Sequence, residues 1–370
     1  MTLQRLPEGI RSFGAAHRYY QGPGALAIAG DVVRSLGTEA LLVCDGVVQA
    51  MLQPALGQAC EAAGVRLRTV IAEGEVTHPT VDGCVAQARA AGLPPHVVIA
   101  AGGGKGVDTG KAVARLLGTP LVVIATAASN DGPCSKNFVY YDDAHRMLSV
   151  EHLPRNPDAV IVDTRLLVKA PRVLLLSGIG DALAKLYEGD QCRRSGARNS
   201  FGGVSTLAAA EIAKACDRVI RADALAALAA AERGEPDAAF ERLTEALVLL
   251  SGLAFENSGL SLAHAMTRGL PLAAGVGRAL HGLQVAYALL VQWVLEERAE
   301  AFVHEQLAFY RALGLPTHLQ ALGAGAVDEA LLQRIAAGTM TAPHVPNFQR
   351  PLAAPDFVAA MRTLERLAAA

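Results

Sequence analysis

The amino-acid sequence predicts an α/β N-terminal half, built on a doubly wound parallel sheet, followed by an all-α C-terminal half. Three observations carry this. Between residues 40 and 163, short Val- and Ile-rich runs alternate with helical stretches, the pattern of parallel strands buried on both faces. Beyond Pro171 such runs cease and long alanine- and leucine-rich segments take over. The length, 370 residues, suits two domains of roughly 150 residues each. The seam is placed at residue 165, giving domains 1–165 and 166–370.

The expected strands are residues 41–46, 66–72, 96–104, 121–129 and 159–164, short apolar runs bounded by Gly, Asp, Ser or Thr. Residues 47–63, 81–91 and 109–117 between them have helical spacing. Ligands of such a sheet belong at the carboxyl ends of its strands. In the second half the expected helices are 180–194, 203–232, 236–253, 259–268 and 277–298. Residues 154–171 lack linker composition, so the halves are expected to pack closely around a cleft.

Composition narrows the function. There are 33 Lys+Arg against 35 Asp+Glu, a net charge of −2, which offers no footprint for nucleic acid or an anionic membrane. A small-molecule substrate is expected. The chain is 52% hydrophobic, yet its densest runs, 246–255 and 285–295, fall short of the ~18–20 residues of a membrane span. Six cysteines without a CxxC pair argue against a disulfide framework or thiolate zinc site and for a reduced compartment. The opening MTLQRLPEGIRSFG has no charged-then-apolar signal pattern, so a cytoplasmic location is expected.

The most informative local pattern is GGGKGVDTGK, from Gly102, Gly103, Gly104 and Lys105 through Asp108 to Lys111, between a strand and a helix. Consecutive glycines let backbone amides approach a pyrophosphate at a helix N-terminus. It is neither GxGxxG nor a Walker loop; a bare glycine turn is the alternative, and the strand–turn–helix context favours the phosphate. Asp45 ends the first strand, where a carboxylate meets ribose hydroxyls and repels a 2′-phosphate. NAD is therefore the expected cofactor.

In the second half, Gly178-Ile179-Gly180-Asp181 is expected to open a helix, and His264 and His281 lie in apolar contexts 17 residues apart. A lone histidine on an apolar helix is usually a hydrogen-bonded core residue. Two imidazoles and one carboxylate, if they converge, leave a divalent cation with net charge near +1 and open positions, the coordination of a catalytic ion. Zinc and ferrous iron both fit, zinc being the first choice.

These segments, with TAASNDGPCS (126–135), LPRNPDAVIVDT (153–164), GIGDALAKLYE (178–188), LSGLAFENSGLSLAHAM (250–266) and HGLQVAY (281–287), together resemble the glycerol dehydrogenases of the iron-containing alcohol dehydrogenase superfamily. The resemblance runs in order from about residue 20 to 351. It implies an NAD-binding domain, a helical metal- and substrate-binding domain, a dehydroquinate synthase-like fold and a homo-oligomer. By resemblance, Asp181, His264 and His281 fall on the metal ligands, and Asp131 on the aspartate that contacts the substrate hydroxyl. Asp45, Gly102, Gly103, Gly104, Lys105, Asp108, Thr126, Ser129, Ser135, Asn137 and Tyr141 fall in its cofactor site.

Departures bear on the substrate. Where such enzymes read PTIASTDAP, this chain has ATAASNDGP (125–133), partly like the TAASHDG of glycerol-1-phosphate dehydrogenases. HAIHNG becomes HAMTRG (264–269), which loses a histidine and gains Arg268, a candidate partner for a carboxylate or phosphate. The expected reaction is NAD-linked oxidation of a polyol or secondary alcohol, glycerol first, with glycerol 1-phosphate or a 2-hydroxy acid as alternatives. A dehydroquinate-synthase-type lyase shares the architecture but typically reads GGGxxGDxxGF, and a non-catalytic NAD sensor would not keep the triad.

Overall fold

The computed structural model describes residues 6–369 apart from 8, 91, 93 and 143–145. Residues 1–5 of the opening segment and Ala91, the expected end of the second helix, lie outside the described residues. Two compact units form. One comprises Ala15–Pro171 and Ala229–Gly252, the other Met1–Gly14, Arg172–Leu228 and Leu253–Ala370.

In the first unit the elements run β1 (Tyr19–Gly22), α1 (Ala29–Arg34), β2 (Glu39–Cys44), α2 (Gly46–Ala62), β3 (Arg66–Ile71), α3 (His78–Ala90), β4 (Val97–Gly102), α4 (Gly104–Leu117), β5 (Leu121–Ala125), β6 (Asn137–Tyr141), β7 (Met147–His152), β8 (Ala159–Asp163) and α5 (Thr164–Leu167). Six strands make a sheet in the order β1-β8-β5-β4-β2-β3, every pair parallel. The strands β2, β4, β5 and β8 are buried at every position, which explains their continuous apolar composition. One face packs Leu42, Ile99, Ile124 and Ile161 against Leu52 and Leu56 of α2. After β2 the chain winds one way to β3 and then the other way through β4, β5 and β8. The switch point therefore lies between the carboxyl ends of β2 and β4, where an open α/β sheet presents its ligand crevice.

The five expected strands are present with their C-terminal ends trimmed by one to four residues, and the first of them begins two residues early, at Glu39. Three others were not expected. β1 is four residues on the sheet edge, and β6 and β7 pair as an antiparallel hairpin. β7 alternates half-buried and exposed positions, the period-2 pattern of a solvated strand. Helix α4 begins at Gly104, five residues before the expected start, because Gly106 and Gly110 lie on the sheet. A Cβ at either would fall inside van der Waals contact with Ala101 O or Ala100 Cβ.

The helices continue as α6 (Arg172–Ser195), α7 (Leu207–Arg233), α8 (Ala238–Glu245), α9 (Ser251–Ser258), α10 (Leu262–Ala265), α11 (His281–Leu295), α12 (Glu300–Leu313), α13 (Glu329–Thr339) and α14 (Ala354–Ala369). A π-helical stretch, Ala246–Leu250, joins α8 to α9. Within the second unit α11 packs against α6, α10 and α14. It is apolar all round and almost wholly buried, as a central helix must be. Among the described residues no single helix is long and apolar enough to cross a membrane, and all six cysteines are buried with none in a disulfide.

Two helix expectations need correction. Gly178–Asp181 does not open a helix, because α6 starts after Pro171 and Gly178 lies two turns in. Residues 259–268 are not one helix. The chain there makes four-residue α10 and then 3-10 turns at Met266–Arg268 and Leu270–Leu272. At the start of that segment Gly259 has φ of 99° and Ser261 is outside the helical region, and just past its end a Cβ at Gly269 would fall inside contact with Ile335 O and Thr339 of α13.

Candidate active site

In the α/β unit, Asp45 and the glycine turn meet at the switch point. Asp45 caps α2 by accepting from Val48 N at 2.8 Å, and Glu73 at the end of β3 accepts from Gly46 N at 3.2 Å. Two carboxylates thus face one cavity of about 350 Å³, lined also by Val47, Lys105, Gly106 and Thr109. Lys105 pairs with Glu75 at 2.9 Å. Gly102 has φ of 144°, a conformation open to glycine, and no side chain caps the N-terminus of α4 at Gly103. Gly104 packs so closely on Asn130 that its Cβ would sit 2.7 Å from Nδ2. Thr126 N donates to Gly102 O at 3.0 Å, which ties β5 to the turn.

The loop after β5 carries Ser129, Asp131 and Ser135, and a fully buried lysine holds it. Lys111 Nζ donates to Gly132 O at 2.6 Å, Asn137 O at 2.7 Å and Ser135 Oγ at 3.3 Å. Asp131 rests on Gly252 just after the π-helical stretch, where a Cβ would lie 3.2 Å from its carbonyl oxygen. The Asn137 side chain is engaged by His152 at 2.7 Å. Asp108 accepts from Val139 N at 3.1 Å; burial pushes its carboxyl up to about 6 although Lys111 opposes. Burial, then Asp108 and Glu75, push the Tyr141 hydroxyl well up, so it stays protonated.

In the helical unit, Asp181, His264 and His281 come together, with their ligand atoms all within 4.8 Å of one another. Two glycines make this possible. A Cβ at Gly180 would lie inside contact with Gly282 O, and one at Gly282 inside contact with Ser177 O. α6 and α11 therefore touch backbone to backbone, and the next residues along, Asp181 and the neighbouring His281, are brought side by side. His264 arrives from α10, its ring centroid 5.4 Å from that of His281.

Behind the triad stand two residues that sequence reasoning did not single out. Glu188 is completely buried and accepts from Ser261 N at 2.8 Å, His264 N at 2.9 Å and His264 Nδ1 at 2.5 Å. Lys185 Nζ donates to Asp181 Oδ1 at 2.6 Å and lies 3.2 Å from His264 Nε2. The signal was available: Asp181, Lys185 and Glu188 are spaced i, i+4, i+7, one stripe of α6.

Charge explains the titration of the cluster. Burial alone would raise Asp181, but the Lys185 ammonium and the His264 hydrogen bond hold it far below the usual carboxylate range. Burial lowers His264, but Glu188 and the hydrogen bonds to Asp181 and Glu188 carry it up to about 9. Desolvation holds His281 below its ordinary value against the pull of Asp181. Arg268 is exposed on the turn after α10. Half-buried His344 is pushed down to about 4 by burial, His264 and Arg268.

The donor set fits a divalent ion. One carboxylate and two imidazoles match zinc or ferrous coordination with positions left open. Glu188 on Nδ1 directs the Nε2 lone pair of His264 inward, the carboxylate–histidine arrangement behind metal-binding imidazoles.

The family model described as iron-containing alcohol dehydrogenase matches residues 16–164. The chain is 33% identical to the glycerol dehydrogenase of Thermotoga maritima over 94% of this chain and 95% of that one. It is 35% identical to the glycerol dehydrogenase of Pseudomonas putida, covering 84% and 85% of the two. The crystal structure of glycerol dehydrogenase from Schizosaccharomyces pombe superposes with a TM-score of 0.92 at 30% identity, over 98% of this chain and 92% of that one. By these matches the chain is an oxidoreductase acting on the CH–OH group of its donor and belongs to the iron-containing alcohol dehydrogenase family, alongside the glycerol dehydrogenases.

Proposed function

We propose that the chain is an NAD- and divalent-metal-dependent polyol dehydrogenase that oxidises glycerol to dihydroxyacetone. The observation that carries the reading is the Asp181, His264 and His281 cluster with Glu188 behind it, in a chain similar to glycerol dehydrogenases over nearly its whole length. When bound, the ion supplies Lewis-acid stabilisation of the alcohol oxygen and the nicotinamide accepts the hydride.

The chain's own residues do the rest. Asp181, His264 and His281 hold the ion, and Glu188 fixes the His264 tautomer. Asp45 and Glu73 accept from the adenosine ribose hydroxyls, and their paired negative charge disfavours a 2′-phosphate. The amides of the glycine turn and the N-terminus of α4 take the pyrophosphate, with Lys105 alongside. Thr126, Ser129 and Ser135, on the loop that Lys111 clamps, and Asn137 and Tyr141, on β6, belong to the nicotinamide side of the same site. Asp131 accepts a hydrogen bond from a substrate hydroxyl and orients the reacting carbon.

One observation favours a second reading. Arg268 is an exposed cation four residues from His264, a place from which it could pair a carboxylate or phosphate, so a 2-hydroxy acid or glycerol 1-phosphate is the alternative substrate. The test is NAD and NADP reduction with glycerol, 1,2-diols, glycerol phosphates and hydroxy acids, run on wild type, metal-stripped protein and Arg268→Ala. Glycerol turnover that is lost with the metal and restored by zinc or ferrous iron is expected. Undiminished turnover after verified metal removal would refute the metal dependence. Faster turnover of an anionic substrate, lost in Arg268→Ala, would transfer the assignment to the second reading.

A further inference from the structure

Lys185 is fully enclosed at the centre of the cluster: no part of its side chain meets solvent. A buried ammonium needs acceptors from the protein. Nζ donates to Asp181 Oδ1 at 2.6 Å and lies 3.2 Å from His264 Nε2, with the Phe255 ring centroid 5.6 Å away.

Two of the three ligand atoms are therefore already engaged in hydrogen bonds, one of them to the ammonium. Nε2 also lies 3.2 Å from Asp181 Oδ1, so it either accepts from Lys185 or donates to Asp181. In both arrangements its single lone pair is used. A zinc ion takes nitrogen and oxygen ligands at about 2.0–2.2 Å, far inside these hydrogen-bond lengths, so ion and ammonium cannot share the two atoms as they stand. We infer that Lys185 is a tethered cation that competes with the metal for Asp181 and His264, so that metal entry requires the lysine to withdraw. The inference rests on the metal-site reading above.

Charge balance gives the sign of the effect. With a dication bound and both histidines neutral, Asp181 and Glu188 cancel the metal, and Lys185 leaves one uncompensated positive charge in a buried site. With Lys185 replaced by an apolar residue of similar shape, the loaded site is neutral. The lysine thus lowers metal affinity and in exchange keeps the cluster folded around a cation when no metal is present. A rival role, in which Lys185 only positions Asp181 for the ion, predicts the opposite sign.

The experiment is a zinc titration against a chelator of known affinity on wild type, Lys185→Met, Lys185→Arg and His281→Ala. Losing an outer partner of a metal ligand typically costs 10–100-fold in affinity, so the positioning role predicts weaker zinc binding by Lys185→Met. Removal of a like charge beside the ion is expected instead to tighten zinc binding by Lys185→Met at least about tenfold, and Lys185→Arg, which keeps the charge, should bind no tighter than wild type. Unchanged or weaker binding by Lys185→Met overturns the competition. His281→Ala should lose the site; if it binds zinc as wild type does, the metal-site reading itself is wrong. Should metal-free Lys185→Met fail to fold, the zinc-loaded protein is mixed with excess chelator. Release at least about tenfold slower than from wild type is expected, and equal or faster release overturns the inference.

Discussion

Replacing Glu188 with glutamine tests the coordination chemistry with almost no change of shape. Glu188 uses Oε1 for two backbone donors, Ser261 N and His264 N, and Oε2 for the His264 ring at 2.5 Å. In Glu188→Gln the two amides keep the carbonyl oxygen where Oε1 was, which leaves the side-chain NH2 facing Nδ1. Two donors cannot face each other, so Nδ1 must become the acceptor and the imidazole proton must move to Nε2, the atom meant for the metal. Binding an ion then requires either the disfavoured tautomer or a rotated amide that breaks two backbone hydrogen bonds. Loss of partners of this kind weakens metal affinity about 10–100-fold, or about 1.4–2.8 kcal/mol. The upper end is expected because a buried negative charge is lost with the tautomer. The assay is zinc competition with a chromophoric chelator, with Glu211→Gln, an exposed glutamate, as control. Zinc affinity of Glu188→Gln within about twofold of wild type, in protein that melts normally, would refute the tautomer argument.

Gly282→Ala places a methyl group inside Ser177 O and 2.9 Å from Ser177 Oγ. It should cost about 1–3 kcal/mol by overpacking, lower Tm by about 2–4 °C per kcal/mol and weaken zinc binding as α6 and α11 separate. Gly57→Ala, with open space around it in α2, should instead raise Tm slightly. Lys111→Met removes the ammonium from Asn137 O, while Gly132 O keeps Ser135 N at 3.1 Å; a loss of about 1–3 kcal/mol is expected for an unsatisfied carbonyl. NADH affinity by fluorescence should fall while zinc affinity stays unchanged. Asp108 has a folded-state pKa above its ordinary value, so the folded chain binds the extra proton and stability falls as pH rises from about 4 to about 6. Asp108→Asn keeps an acceptor for Val139 N and removes that loss. Its Tm relative to wild type should be higher at pH 8 than at pH 4, by the equivalent of on the order of 1–2 kcal/mol for a half-buried carboxyl. An equal difference at both pH values would discount the shift.

The α/β half was legible because its signals are local. Buried parallel strands are continuous apolar runs, and the glycine turn sits between one of them and its helix, so Asp45 and Gly102 could be placed at the same sheet edge from alternation alone. The strands that escaped, β1 and the β6–β7 hairpin, are four to six residues long and nowhere buried continuously. The metal cluster is a different case. Asp181, His264 and His281 stand far apart in the chain, and what joins them is a backbone contact between Gly180 and Gly282. Two glycines in separate helices look like weaknesses in each and acquire their meaning only from the pair. For that reason the residues alone raised the triad as a possibility and the resemblance assigned it. Glu188 was hidden because a glutamate in a long helix reads as a solvated position, although most of its neighbours on α6 are buried.

The two fully buried lysines sharpen this point. Lys111 and Lys185 each lie in a helix beside a candidate site, and each must offset the cost of burying an ammonium with acceptors from the protein. Their acceptors differ in kind. Lys111 is met by the carbonyls of Gly132 and Asn137, groups held by the loop itself, so its cation is a permanent part of the fold. Lys185 is met by Asp181 and His264, groups with the charge and lone pairs that a metal requires. A buried lysine whose acceptors are backbone carbonyls is a strut. One whose acceptors are metal ligands occupies a site that another cation can claim, and for that reason Lys185→Met is expected to tighten zinc binding while Lys111→Met leaves it unchanged.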